Sequence, residues 1–515
     1  MIDRRSLLRG GAALALTAGA GAAAAVTAPA AAGRGARRQG PPWDRLRTRI
    51  TGDVVLPGDA GYDSARRLQL ARYDGVRPSA VLYAETPADV RDGLLFAQNH
   101  DLPLAVRSGG HNYAGWSTGE GMVLDVSRLN GIRRTDTGQQ VVIGAGAQTI
   151  DVLDTLTRDG VAAPGGMCAD IGSGGYFSVG GTGLQTRMHG IASDRVTAAR
   201  VVLADGRVVR CSRDEEPDLF WALRGGGGGN FGVVTAWRVR TFEVGPVHEF
   251  TLVWSWDDAA PVLTEVQGWM VRAPRELAGL FTIVVPDAAP GVPPDVVLNG
   301  VHHGDGAELE RLLDELVGES GRTPVYRDVR QRPFKDAMMG WYGCEGYTVE
   351  QCHRVGQNPA ALLPRDNWVI DRGRLLDAPV PAAGVDELLA AYDRLHRSGE
   401  ARLLWLMNLG GAANDRARGA TAYVHRGTEL LMSFVLAMHT PTPSPEHLAN
   451  SRAWAAGGFD IIDRYGNGES YVAFPDLELT DWRESYYAEN YPRLVRVKRA
   501  YDPYNFFRFG RSIGS

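Results

Sequence analysis

At 515 residues and 55.6 kDa the chain exceeds one ordinary hydrophobic core, so two domains or one two-lobed enzyme are expected. Hydrophobic residues at 44% and charged residues at 22% exclude disorder as the main state, and a formal net charge of −5 gives no reason to expect a nucleic-acid partner. Glycine is the outlier, 64 residues against an average of about 7%, yet no Gly-X-Y period runs through the chain, which excludes collagen.

In chain order, residues 1–32 read as an export signal. Arg4 and Arg5 open the run Arg-Arg-Ser-Leu-Leu-Arg-Gly, an Ala/Gly/Leu stretch follows from Gly10 to Val26, and small residues around Ala30 to Ala32 offer a cleavage site. The stretch is too short and too weakly apolar for a membrane anchor, so a twin-arginine signal and secretion are expected. Residues 33–44 read as a linker. From about residue 80, short β-branched runs alternate with helical ones. Strands are expected at Ala80–Ala84, Leu104–Arg107, Gly121–Val126 and Gln140–Gly144, and helices at Pro87–Asn99 and Thr149–Arg158. Arg200–Ala204 and Arg207–Cys211 form a hairpin across Asp205-Gly206, and Phe231–Phe242 a long strand.

Beyond about residue 243 the composition shifts towards Trp, Val and Pro. Strands at Glu249–Trp256 and Leu280–Val285 with helices at 307–317 and 384–397 indicate a separate α+β lobe. Glu429–Met438 reads as a strand buried on both faces. A helical stretch from Tyr486 to Ala500 precedes Tyr501-Asp-Pro-Tyr-Asn-Phe-Phe. Of four cysteines, Cys344 and Cys352 are close enough to pair outside the cell, whereas Cys168 stands alone in a glycine-rich loop; no pair has zinc-site spacing, and no metal is expected.

Two familiar patterns match in the wrong context. Gly227-Gly-Gly-Asn-Phe-Gly232 satisfies G-x-G-x-x-G, but a strand follows where a dinucleotide site needs a helix. Gly115-Trp-Ser-Thr-Gly119 satisfies G-x-S-x-G, but it too runs into a strand, not the helix of a nucleophile elbow. Three glycine-rich loops remain: Arg107-Ser-Gly-Gly-His-Asn-Tyr113, Pro164 to Gly183, and Arg224 to Gly232. Glycines let backbone N–H groups approach a diphosphate or a flat ring edge without an intervening Cβ. One loop carries a histidine, another a cysteine.

The run Arg-Ser-Gly-Gly-His-Asn-Tyr, followed later by Gly-Gly-x-Cys, resembles the berberine bridge enzyme-like FAD-linked oxidases of the vanillyl-alcohol-oxidase/PCMH flavoprotein fold. Tyr62-Asp-Ser-Ala-Arg, Gly190-Ile-Ala-Ser-Asp, Asp218-Leu-Phe-Trp-Ala-Leu-Arg-Gly and Tyr486-Tyr-x-x-Asn-Tyr-Pro-Arg-Leu extend the resemblance over most of the chain. It implies an α+β fold with a two-subdomain FAD-binding domain at 45–242, an inserted substrate-binding domain at 243–470, and a return to the FAD-binding domain at 471–515. It implies bicovalent FAD, with His111 bonded to the 8α-methyl and Cys168 to C6 of the flavin ring. An imidazole nitrogen and a thiolate are the nucleophiles such attachments need. The other FAD-binding residues so implied are Arg107, Ser108, Gly109, Gly110, Asn112, Gly172, Gly174, Gly175, Val179, Gly180, Gly181, Gly183, Gly232, Val233 and Asn505. The resemblance departs at Val179-Gly-Gly-Thr-Gly183, where the family often has three glycines; the segment from Tyr176 to Val179 lies where side chains control oxygen access to the flavin, leaving oxidase and dehydrogenase behaviour both open.

Hydride loss from substrate also needs a proton acceptor. Ser470-Tyr-Val-Ala-Phe-Pro-Asp resembles the family's Tyr-x-Asn-x-x-Asp stretch and makes Tyr471 the first candidate, although an ordinary tyrosine pKa of about 10 is high for a base. Where the family places a second acid–base group, after His-Arg, this chain has Ser433; His302, His303 and His439 are further candidates. The expected function is a secreted oxidase that passes a hydride from an alcohol, sugar carbon or natural-product scaffold to FAD, with O2 as acceptor and H2O2 as product. Antibiotic-type tailoring stands ahead of oligosaccharide oxidation. A flavin-binding protein with weak catalysis is the contrasting reading, motivated by the missing acid–base groups.

Overall fold

A computed structural model describes residues 40–135 and 138–515. The expected export signal lies outside the described residues, and helix Trp43–Arg47 takes up the end of the segment read as linker. Three larger sheets and one two-stranded pair organise the rest of the described residues. The first contains β1 (Asp53–Val55), β2 (Ala80–Tyr83), β3 (Leu104–Arg107) and β4 (Met122–Asp125) in the order β1-β2-β4-β3; β4 runs parallel to both neighbours. Its crossover helix, Pro87–Asn99, starts where Thr86 and Asp89 close a reciprocal capping box and Pro87 fills a first-turn position that needs no N–H.

Next come β5 (Ile132–Arg134), β6 (Gln140–Gly144), β7 (Val161–Ala162), β8 (Val196–Val202), β9 (Val208–Ser212), β10 (Val233–Arg240) and β11 (Phe242–Glu243). Five of them form an antiparallel sheet in the order β5-β6-β10-β8-β9, and β7 pairs with β11. The expected long strand at 231–242 is therefore broken after Arg240, because its last residues leave to pair elsewhere. The third sheet is a seven-stranded antiparallel sheet. It comprises β12 (Val247–Trp254), β13 (Leu277–Val285), β14 (Asp295–His302), β15 (Tyr326–Arg332), β16 (Trp368–Leu376), β17 (Glu400–Asn408) and β18 (Leu430–Met438), in the order β15-β12-β14-β13-β17-β18-β16.

Residue alternation gives this large sheet two different faces. Leu404, Leu406, Phe434 and Leu436 point into a core shared with Val262, Leu313, Leu388 and Trp454 of four covering helices. Leu403, Val435 and Val369 point the other way, towards Tyr73, Tyr113 and the glycine-rich loops. That two-sided cover explains why β18 is buried at every residue, as its unbroken apolar run predicts. The C-terminal segment returns across the first two sheets: Leu494, Val497 and Ile513 join the core of β6, β8 and β10, and Phe507 packs beside Leu82 and Leu124. The single helix expected at 486–500 is instead two, Trp482–Tyr487 and Tyr491–Tyr501. Ala488 breaks them with φ 39°, and Pro492 fits the first turn of the second.

Candidate active site

The glycine-rich loops and the free face of the large sheet enclose a cavity of about 290 Å³. Strand β3 ends at Arg107, whose guanidinium pairs with Asp125 opposite it on β4 and donates to the Ala65 carbonyl at 2.6 Å. Arg107 thus clasps the strand ends and sets the start of the His111 loop from behind the cavity lining. The His111 and Cys168 loops lie backbone against backbone. A Cβ at Gly109 would stand 2.5 Å from the Gly172 nitrogen, and one at Gly172 would stand 2.2 Å from the Ser108 hydroxyl. Only glycine permits this approach, which fixes the two loops relative to each other.

His111 and Cys168 both line the cavity, with Ser108, Gly109, Gly110, Asn112, Gly172, Gly174, Gly175, Val179 and Gly232. The remaining expected cofactor residues stand behind the wall. Gly180 and Gly181 make a tight turn with φ 109° and 81°, and Gly183 packs so closely on Gly165 that a Cβ would sit 2.2 Å from its carbonyl oxygen. Val233 turns into the core with Val202 and Phe507 while Val234 faces the cavity, as strand alternation requires. Asn505 adopts φ 50° outside the lining, with its side-chain oxygen buried and without a hydrogen-bond partner among the described residues.

The wall fits FAD by two independent signs. A Cβ at Gly175 would meet nothing within 4 Å and one at Gly228 nothing nearer than 3.8 Å, so both loops present bare backbone to open space. The Ser117 hydroxyl, also in the lining, is buried with no hydrogen-bond partner among the described residues, and no imidazole beside it makes it a nucleophile.

Electrostatics divide the site. His111 Nε2 lies 2.7 Å from the Asp170 carboxylate, and Arg354 Nη1 lies 3.4 Å from the other oxygen of the same group. Burial favours the neutral acid, but His111 and Arg354 outweigh it and hold Asp170 down to about 2. Burial, together with Asp170 and Asp366, pushes the Cys168 thiol well up, so the thiolate anticipated from sequence is not preformed.

Across the cavity, the sheet supplies a carboxylate that the motif reading missed. Asp371 on β16 lies opposite Val435, and Gly373 lies opposite Ser433, so all four share the face that also carries Leu403 and Trp405. Asp371, Leu403, Trp405 and Val435 line the cavity, whereas Ser433 does not. Instead the Ser433 hydroxyl bonds to the Asp371 carboxylate, in space that exists because residue 373 has no side chain: a Cβ there would stand 1.9 Å from Ser433 Oγ. Burial pushes Asp371 up to about 7, the Ser433 bond opposing and Asp476 adding to the rise. Its Oδ1 has no partner among the described residues.

Tyr471 lines the cavity, but its hydroxyl accepts a 2.9 Å hydrogen bond from the Gly181 N–H, and burial pushes the phenol far above its ordinary value despite that bond. It is a poor base. None of the alternative histidines reaches the cavity: His302 pairs with Glu308 at 3.3 Å, His303 lies tilted against Phe334, and His439 contacts the Pro286 carbonyl. Cys344 and Cys352 form a disulfide, as their spacing allowed.

Residues 78–212 match the family described as FAD binding domain, and residues 470–514 the family described as Berberine and berberine like. The chain is 28% identical over 475 residues to an uncharacterised FAD-linked oxidoreductase of Bacillus subtilis, YgaK, covering 91% of this chain and 98% of that protein. It is 28% identical over 462 residues to chitooligosaccharide oxidase of Gibberella zeae, covering 85% and 87%. In fold it superimposes on berberine bridge enzyme from Eschscholzia californica with a TM-score of 0.80 at 21% identity, over 92% of this chain and 98% of that one. No helix among the described residues is long and apolar enough to cross a membrane. With residues matched by an FAD binding domain towards one end, a berberine-like segment at the other and a shared α+β fold, the chain is an FAD-dependent oxidoreductase similar to the berberine bridge enzyme-like proteins.

Proposed function

We propose that the protein is an exported oxidase in which His111 and Cys168 hold FAD bicovalently and Asp371 takes the substrate proton. When bound, FAD supplies the hydride acceptor, and its reoxidation by O2 yields H2O2. The observation that carries the reading is the placement of Asp371 on the sheet face of the same cavity whose opposite wall presents His111 and Cys168. A carboxyl group poised near neutrality by burial, with one oxygen steadied by Ser433 and the other unpartnered, matches what a general base requires at pH 7. Tyr471, fixed by Gly181, would orient substrate or restrict its movement; Ser433 acts only through Asp371.

The substrate wall supports a natural-product scaffold over an oligosaccharide. Trp405, Phe474, Tyr113 and Tyr471 form a chain of tilted and edge-on ring contacts with centroids 5.5 to 6.2 Å apart. Leu403 and Val435 complete an apolar roof, in which the buried Trp405 indole N–H has no acceptor among the described residues. Such a surface matches a flat apolar skeleton carrying one acceptor, with the reacting CH–OH or activated C–H beneath Asp371. Anaerobic mixing with aromatic alcohols, glycosylated aglycones, cellobiose and chitooligosaccharides tests this. Bleaching of the flavin absorbance by the aromatic compounds, followed by H2O2 on admitting air, is expected. Bleaching by the oligosaccharides alone would reverse the substrate assignment, reduction without reoxidation would make the protein a dehydrogenase, and no bleaching would favour the weakly catalytic binder.

A further inference from the structure

One buried charge cluster remains outside the proton-transfer chemistry. Asp170 follows Cys168 by two positions on the same loop, yet its carboxylate turns to His111 on the neighbouring loop, Oδ1 lying 2.7 Å from Nε2 in a close contact whose angle is not that of a hydrogen bond. The other oxygen faces Arg354 at 3.4 Å, and Arg354 Nη1 also lies 3.2 Å from the Gly109 carbonyl and 3.2 Å from Gln69 Oε1. Arg354 therefore bridges both attachment loops. It is delivered by a braced segment: the Cys344–Cys352 disulfide ends two residues before it, and His353 between them contacts the Asp151 carboxylate at 3.1 Å and the Val349 carbonyl at 2.8 Å. An isolated buried carboxylate would be strongly disfavoured, so this arrangement maintains a charge where one is used.

We propose that Asp170, braced by Arg354, is a positioning residue for the histidyl attachment: it holds His111 through Nε2 and leaves Nδ1 to form the bond to the cofactor. This rests on the bicovalent reading above. A carboxylate 2.7 Å from one imidazole nitrogen favours the proton on that nitrogen, and it stabilises the positive charge the ring gathers when the other nitrogen's lone pair attacks. In the attachment, a bond forms between His111 Nδ1 and the 8α carbon and one 8α C–H bond breaks. That proton and the one on Nε2 leave, two electrons pass into the ring system, and O2 accepts both electrons and both protons to become H2O2. Because Asp170 rides on the Cys168 loop, the same carboxylate also ties the geometry of the two attachments together.

The test is mass-spectrometric peptide mapping of the purified holoprotein, sampled through expression, for wild type, D170N, D170E and R354Q. Wild type should yield the His111 and Cys168 peptides joined through one flavin. D170N should keep flavin on the Cys168 peptide while its His111 linkage forms about tenfold more slowly, the lower end of what losing a histidine-orienting partner costs. D170E should recover most of the linkage, which a merely space-filling role for Asp170 would not predict, and R354Q should fall between. Equal His111 linkage in wild type, D170N and R354Q overturns the assignment. If D170N gives no flavin-bearing protein, R354Q decides alone, since it keeps the carboxylate: full linkage there overturns the proposal and slowed linkage upholds it. Wild type that releases all its FAD on acid denaturation removes the bicovalent reading itself, an outcome seen before any variant is made.

Discussion

The floor and the roof of the cavity are built on opposite principles. The floor is backbone: glycines in the His111 and Cys168 loops pack so closely that a single Cβ at Gly109 or Gly172 would collide, and its few side chains are held by the ionised Asp170. The roof is side chains on a regular sheet, where β16, β17 and β18 set Asp371, Trp405 and Val435 on one face by register alone. One carboxylate in the floor is held charged by Arg354 and the His111 imidazole, whereas the roof carboxylate has only a serine and is pushed towards neutrality. The difference teaches what each does: a permanently charged group holds and orients, and a group poised near pH 7 can exchange a proton.

The sharpest way to break this contrast is D371N, which removes the roof's proton acceptor and should lower the rate of flavin reduction by about 10² to 10⁴. Unaltered reduction would transfer the role elsewhere. The same variant makes an opposite prediction for stability. Folding raises Asp371 from its ordinary value near 4 to about 7, so between those values the native state binds more protons than the unfolded state and stability falls as pH rises. D371N should therefore melt higher than wild type at pH 8 and close to it at pH 4. For Asp170 the sign reverses: its lowered value contributes stability that is fully present above about pH 4 and is lost as pH falls towards 2, so D170N should narrow the acid-induced loss.

A smaller effect is expected from G373A. Its Cβ would overlap Ser433 Oγ and crowd the Met432 carbonyl, destabilising by about 1–3 kcal/mol in thermal or urea unfolding and displacing Ser433 from Asp371. S433A should be milder still. Loss of the donor that stabilises ionised Asp371 moves the acidic limb of the pH–rate profile upwards and lowers activity a few-fold at pH 7, with little change at pH 9. A limb that stays in place would show that Ser433 does not act through Asp371. Y471F should change rates least and leave the limb unmoved, because the phenol stays protonated throughout this range.

The same contrast explains how much was legible in the sequence. The floor reads directly, because its requirements are local: glycine where backbones touch, and one histidine and one cysteine among them. Strands β2, β3 and β6 and helix Pro87–Asn99 also read to within a residue, since capping and alternation are local too. Helix Pro445–Tyr465 carried a comparable signal, Ser444 accepting from the His447 N–H with Pro445 in the first turn, but escaped notice behind a weakly apolar face. Asp371 was hidden for another reason. Its carboxylate sits in Trp-Val-Ile-Asp-Arg-Gly-Arg-Leu-Leu, and only pairing with β18, some sixty positions on, places it beside Ser433 and above the loops. Ser433, at the position the resemblance assigns to an acid–base group, stands on the same sheet face as Asp371 of the neighbouring strand. Val233 packs in the core while its neighbour Val234 lines the cavity, a difference that one residue makes in a strand.

The most direct measurement is acid denaturation of the purified wild-type protein followed by peptide mapping of the pellet. The account predicts a yellow pellet in which one flavin joins the peptides bearing His111 and Cys168, with each single alanine variant retaining one attachment and the double variant none. A colourless pellet with FAD free in the supernatant would contradict it.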